Sequence, residues 1–187
     1  MNRKTKEVKV GNLIIGGGFP ISLQTMWKKP LVWPNKDILE QMNNLSNLGC
    51  DILRISVQST NQIDIIREIT RYLKLPLVVD VHFDYRIALE CMDIPIAKIR
   101  INPGNIGNRW KQEEVIKKAK DNEIPIRVGI NAGSLPKSLQ NEKDTAKAMV
   151  NAAEEECNLL EKLNFQNVIF SLKSSEINAT VRANEIF

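Results

Sequence analysis

The 187-residue sequence predicts an α/β fold built on a parallel sheet. Three observations carry that prediction. Six apolar, β-branched segments alternate with six helical patterns from residue 21 onward. Turn residues, chiefly glycine, proline and asparagine, punctuate the alternation. Composition is that of an ordinary folded domain, with 43% hydrophobic and 26% charged residues, which excludes a disordered or collagen-like chain. A chain of this length can bury a core without disulfide or metal staples.

The elements follow in order. Residues 8–18, VKVGNLIIGGG, read as a short hairpin turning at Gly11-Asn12. Glycines 16–18 are followed by Phe19-Pro20 with no helix start behind them, so they read as a turn and not as a phosphate-cradling loop. Residues 21–26, ISLQTM, read as the first strand of the alternation. Asn35 or Asp37 can cap a helix that runs to Leu48 and ends at Gly49. A strand at 51–57 precedes a helix at 61–73, where Ile63, Ile66 and Ile69 recur at helical spacing. Strands at 77–83, 96–102, 126–131 and 167–173 then alternate with helices at 85–92, 111–122, 143–163 and 176–187. Repeated strand–helix units imply right-handed crossovers. An open doubly wound sheet and a β/α barrel both satisfy this pattern. No G-x-G-x-x-G follows the first strand, which weakens the dinucleotide-binding version. A complete barrel takes about 250 residues, about two units more than this sequence holds.

Charge narrows the function classes. The balance of 26 basic and 22 acidic residues, +4, is spread along the chain without a basic stripe, so no nucleic-acid partner is expected. No run of 18 apolar residues occurs, and the lysine-rich N-terminal ten residues lack an apolar stretch of signal-peptide type, so no membrane partner and a cytoplasmic setting are expected. Cys50, Cys91 and Cys157 are far apart and His82 is the single histidine, so the cysteines read as small core residues and no metal site is expected.

Strand alternation locates the chemistry. Side chains two apart share a face, which groups Ile52, Arg54 and Ser56; Asp80 and His82; Lys98, Arg100 and Asn102; Arg127, Gly129 and Asn131; and Ser171 and Lys173. The opposite faces are apolar and suit packing under helices. The polar faces suit a barrel lumen near the strand C-termini, where such folds bind ligands. Five cations, Arg54, Lys98, Arg100, Arg127 and Lys173, meet one carboxylate, Asp80. Unpaired charges in a partly buried cavity are costly, and a bound polyanion offsets that cost. The inference is a small phosphorylated or diphosphorylated ligand, for which arginine's fork is suited. Small residues in NPGN (102–105) and NAGS (131–134) let backbone N–H groups approach an anion. Asp80 and His82 read either as an acid/base pair or as a ligand-positioning pair.

Together, VKVGNLIIGGGFPISLQTM, GCDILRISV, PLVVDVHFDYRIALE, KIRINPGNIG, PIRVGINAGSL and FQNVIFSLKSS resemble the 4-hydroxy-3-methylbut-2-enyl diphosphate synthase family in order and spacing, over essentially all 187 residues. The resemblance implies a TIM-type β/α barrel, incomplete at about six of eight units, with an N-terminal β-hairpin. It implies reductive ring opening of 2-C-methyl-D-erythritol 2,4-cyclodiphosphate in the non-mevalonate isoprenoid pathway. The electrons would come from ferredoxin or flavodoxin through a [4Fe-4S] cluster. By motif, Arg54, Arg100, Asn102, Arg127, Asn131 and Lys173 would bind the substrate diphosphate, and His82 with Asp80 would stand at the reacting side. The family is a homodimer whose C-terminal domain carries the cluster. The expectation for residues 1–187 is therefore one substrate-binding barrel portion, without the iron–sulfur domain and inactive alone. A non-catalytic or degenerate diphosphate-binding barrel acting only with another chain is the second reading. The sequence departs from the family at MWKKPLVWP (26–34), where the family has a polar, threonine-rich loop, and at Glu176, where it usually has aspartate.

Overall fold

Val8–Val10 (β1) and Leu13–Ile15 (β2) pair antiparallel around Gly11-Asn12, as the hairpin reading expects, with Gly11 at φ +62°. These coordinates come from a computed structural model that describes residues 5–187; of the lysine-rich N-terminal stretch, residues 1–4 lie outside it. The hairpin is a plug. Val8 and Val10 are buried against Ile52 and Val78, with Ala97 and Ile169 alongside, at the N-terminal ends of the strands.

Six parallel strands follow: β3 (Gln24–Met26), β4 (Ile52–Val57), β5 (Leu77–Val81), β6 (Lys98–Ile101), β7 (Ile126–Asn131) and β8 (Val168–Lys173). Their spatial order is their order along the chain, β3 to β8, with no reversal. A doubly wound sheet reverses direction at a switch point, so this order decides for the barrel. Among the described residues β3 and β8 are the sheet's two edge strands.

The helices are α1 (Lys36–Asn44), α2 (Ile63–Tyr72), α3 (Tyr85–Cys91), α4 (Pro103–Ile106), α5 (Arg109–Asp121), α6 (Thr145–Lys162) and α7 (Ile177–Ile186). Asn35 caps α1 by accepting from the Ile38 amide, and Gly49 ends the following turn at φ +85°. Ile63, Ile66 and Ile69 of α2 are buried, as their spacing requires. They join the outward residues of the strands, such as Leu53, Ile55, Val79, Ile99 and Val128, in one core between sheet and helices. Each such aliphatic side chain contributes about 1.5–3 kcal/mol on burial. Among the described residues no helix is long and apolar enough to cross a membrane.

Several boundaries differ from the sequence reading: α1 ends at Asn44 and not at Leu48, with a separate short turn at Ser46–Leu48 before Gly49. The first strand is only Gln24–Met26; Ile21 is 92% exposed, and the backbone before β3 is held by the Leu23 amide donating to Asp51 Oδ2 at 2.7 Å. The strand read as 77–83 ends at Val81, where pairing with Ile101 stops and Asp84 begins to cap α3. The segment NPGN is not a plain loop. Pro103 occupies the first turn of α4, and Asn102 caps it by accepting from the Gly104 amide.

Candidate functional site

Register builds the site. Ser56 stands opposite Asp80, Asp80 opposite Arg100, and Arg100 opposite Arg127 on successive parallel strands. Their side chains therefore form one row across the lumen. Asp80 is its hub: Oδ1 lies 3.0 Å from Arg100 Nη1, and Oδ2 lies 3.6 Å from Arg54 Nε and 3.5 Å from His82 Nε2. Asp80 and Arg100 are 2% and 7% exposed, so this ion pair is buried. Arg54 Nη2 donates to Met26 Sδ at 3.2 Å, whereas its buried Nε makes no hydrogen bond.

One carboxylate serves two arginines, and the other cations are left over. Among the described residues, Lys98, Arg127 and Lys173 have no ion-pair partner. Arg127 Nε donates to Ser171 Oγ at 3.2 Å, a neutral partner. Burial, with Arg54 and Arg100 nearby, holds the Arg127 guanidinium below its ordinary range, against the pull of Asp80. Lys98 is 2% exposed, and burial reinforced by Arg127 and Arg54 pulls its ammonium down to about 8. The lumen thus carries an excess of positive charge that its own side chains do not neutralise.

Gly129 makes room for this arrangement. A Cβ at Gly129 would stand 2.7 Å from Arg100 Nη2 and 2.8 Å from its Nε. Gly129→Ala is therefore expected to push Arg100 off Asp80, weakening anion binding about tenfold and destabilising the fold by about 1–3 kcal/mol. Paired binding and urea-unfolding measurements check this; unchanged affinity would show that Arg100 tolerates the displacement.

The strand C-termini frame the mouth, a cavity of about 530 Å³ whose lining includes His82, Asn102, Asn131, Ser134 and Lys173. The Asn102 amide donates to Ser134 Oγ at 2.9 Å, tying the turn after β6 to the turn after β7. The two turns are in close contact: a Cβ on Gly104 would lie 2.2 Å from the Ser134 carbonyl oxygen. Behind them Gln112 Nε2 donates to the Pro103 carbonyl at 3.1 Å, and Arg109 bridges Gln112 to Glu156. Burial raises the Glu156 carboxyl above its usual range, partly opposed by Arg109.

Arg54, Asp80, Arg100 and Arg127 are thus gathered in the lumen, while His82, Asn102, Asn131 and Lys173 lie at its mouth. Lys173 is solvent-exposed. Gly129 and Ser171 fall on the polar strand faces read from the sequence, and Ser134 falls in the NAGS turn; their partners, Arg100, Arg127 and Asn102, depend on register between strands, which the sequence does not signal. The departing segment packs beside the site: Trp27 lies partly against the core and Lys29 Nζ is 5.6 Å from its ring centre, while Trp33 is 63% exposed. Met26, Trp27, Ser56 and His82 line a second recess of about 640 Å³. Glu176 precedes α7 without a capping bond from its side chain.

The described residues do not fit an iron–sulfur cluster. Among them no three His, Cys, Asp or Glu side chains converge. Cys91 is fully buried, and desolvation pushes its thiol up to about 12. Cys50 donates to the Ile52 carbonyl at 3.1 Å, and burial also raises the Cys157 thiol. Thiols raised in this way, as those of Cys91 and Cys157 are, make poor iron ligands.

Residues 5–187 match the family described as GcpE TIM-barrel domain. The chain is 42% identical over 202 residues to a 4-hydroxy-3-methylbut-2-en-1-yl diphosphate synthase (flavodoxin) of Treponema denticola, across 96% of this chain and 52% of that protein. It is 44% identical over 183 residues to the protein of the same description from Symbiobacterium thermophilum, across 97% and 49%. The chain thus spans about half the length of the curated relatives it matches. A solved structure, the phospho-2-dehydro-3-deoxyheptonate aldolase of Thermotoga maritima, is similar with a TM-score of 0.56 at 16% identity, over 97% of this chain and 53% of that one. At that identity the likeness concerns the fold alone.

Proposed function

The chain belongs to the GcpE TIM-barrel family, and from that premise we propose that its lumen binds the diphosphate of 2-C-methyl-D-erythritol 2,4-cyclodiphosphate. The binding serves reductive ring opening to 4-hydroxy-3-methylbut-2-enyl diphosphate. The observation that carries this reading is the unneutralised charge: among the described residues, Lys98, Arg127 and Lys173 lack acidic partners around a lumen whose carboxylate, Asp80, already serves Arg54 and Arg100. Arg100, Arg127 and Lys173 hold the phosphates, and Arg54, bonded through Nη2 to Met26, supports them from below. Asn102 and Asn131 donate at the rim. His82, 3.5 Å from Asp80, stands beside the sugar end, and Asp80 orients its ring. In this role His82 is the proton-handling group and Asp80 its partner.

The reduction needs two electrons. By the wording of the relatives' descriptions the donor is a flavodoxin. An iron–sulfur cluster would supply the passage of those electrons; the described residues do not hold one, and we read residues 5–187 as the barrel portion of a homodimeric cytoplasmic enzyme. The 187-residue chain alone is then expected to show no turnover with reduced flavodoxin, and measurable product would contradict this. Calorimetry with the cyclic diphosphate tests the binding reading. A dissociation constant of about 1 mM or tighter is expected, the range of ordinary substrate sites. No heat at millimolar ligand would contradict it.

A non-catalytic diphosphate-binding barrel that works only with another chain is favoured by one observation. The edges of β3 and β8 stay unpaired among the described residues, and such edges invite pairing. Ligand binding that appears only after a second chain is added would select this reading.

A further inference from the structure

Lys98 has a different character from the other lumen cations. It lies on β6 two residues before Arg100, so both side chains enter the lumen, Lys98 deeper. Below it the plug is apolar, with Val10, Ile52 and Val78. The charged and titratable groups on the surrounding elements are Arg54 from β4, Asp80 and His82 from the end of β5, Arg100 from β6 itself, Arg127 from β7 and Lys173 from β8. The hairpin's Lys9 points to solvent. Asp80 is engaged by Arg54, Arg100 and His82, and among the described residues no carboxylate comes within ion-pair distance of Lys98.

An empty lumen with this excess of charge is relieved most easily by losing a proton. Arginine does not release one near neutral pH, whereas a buried lysine does. We propose that Lys98 is the charge-adjusting binding residue of this site, shedding its proton in the empty lumen and regaining it when a diphosphate enters. Binding is then coupled to proton uptake, and the site matches its charge to the anion it holds. This rests on the diphosphate reading above. The lowered ammonium agrees with the geometry: burial, Arg127 and Arg54 act on it together. A bound anion adds the opposite charge and restores the ordinary lysine range.

Calorimetry of the 187-residue chain with the cyclic diphosphate, in two buffers of unlike ionisation heat, reads the coupling directly. Each phosphorus of that ligand carries a single strongly acidic hydroxyl, so the ligand itself does not titrate near pH 8. With Lys98 near 8, uptake is expected to be about half a proton per ligand at pH 8 and close to one at pH 9. The apparent dissociation constant should rise about tenfold from pH 7 to pH 9. Lys98→Arg keeps the charge but cannot shed the proton, and Lys98→Met removes both. Either variant should bind with no uptake and a flat pH profile over this range. Uptake that persists in Lys98→Arg would assign the proton to another group, such as His82, and overturn the inference. Binding by the unaltered chain without uptake would overturn it too, leaving the diphosphate reading intact. No binding at all would remove both.

Discussion

Arg127→Met is expected to weaken cyclic diphosphate binding about a hundredfold while raising the melting temperature of the ligand-free chain by a few degrees. The two effects have one cause. Arg127 is partly buried beside Arg54 and Arg100, and its side-chain hydrogen bond goes to a neutral hydroxyl, Ser171. In the empty lumen its charge is a liability, and a methionine keeps the apolar stem while removing that charge. In the proposed complex the same guanidinium would make charge-assisted hydrogen bonds to phosphate, together worth about 3 kcal/mol, or about two orders of magnitude in affinity. Calorimetry and thermal unfolding on one preparation measure both. Loss of stability with unchanged affinity would place Arg127 among structural residues.

Asp80→Asn should have the opposite signature. Asparagine keeps the shape but removes the one negative charge shared by Arg100 at 3.0 Å and Arg54 at 3.6 Å. Breaking a buried pair from one side costs about 3–5 kcal/mol, because the remaining charges stay buried without a counter-charge. For a chain of this size that lowers the melting temperature by roughly 10 °C. Added cyclic diphosphate should recover part of the loss, because its phosphates replace the missing negative charge. A variant as stable as the original would mean that the arginines reach solvent and that Asp80 is not their hub.

Much of the lumen was legible because strands have a period of two. Arg54, Asp80, Arg100 and Arg127 fall on one face of their strands by counting alone, and their apolar neighbours fall on the other. Pairing was not legible. That Asp80 meets Arg100 and Arg54, leaving Lys98 and Arg127 over, depends on the register between strands, which no single segment encodes. Nor could counting show why residue 129 is glycine; the reason is the Arg100 guanidinium of the neighbouring strand. Ile21 reads as strand by its apolar character, yet the paired register with β4 begins only at Gln24; the Leu23 carbonyl still accepts from the Asp51 and Ile52 amides, and the backbone before it is not strand. Likewise NPGN looks like a turn until Asn102 caps it and Pro103 starts a helical turn. The hairpin was legible as a hairpin, while its task of sealing the lumen floor depends on long-range contacts with Ile52 and Val78.

A crystal structure of the 187-residue chain soaked with the cyclic diphosphate tests the central claim most directly. Both phosphorus atoms should lie in the lumen mouth, within about 4 Å of guanidinium nitrogens of Arg100 and Arg127, the separation of a hydrogen-bonded phosphate. Ligand density on surface lysines, with the lumen filled by water alone, would contradict the account.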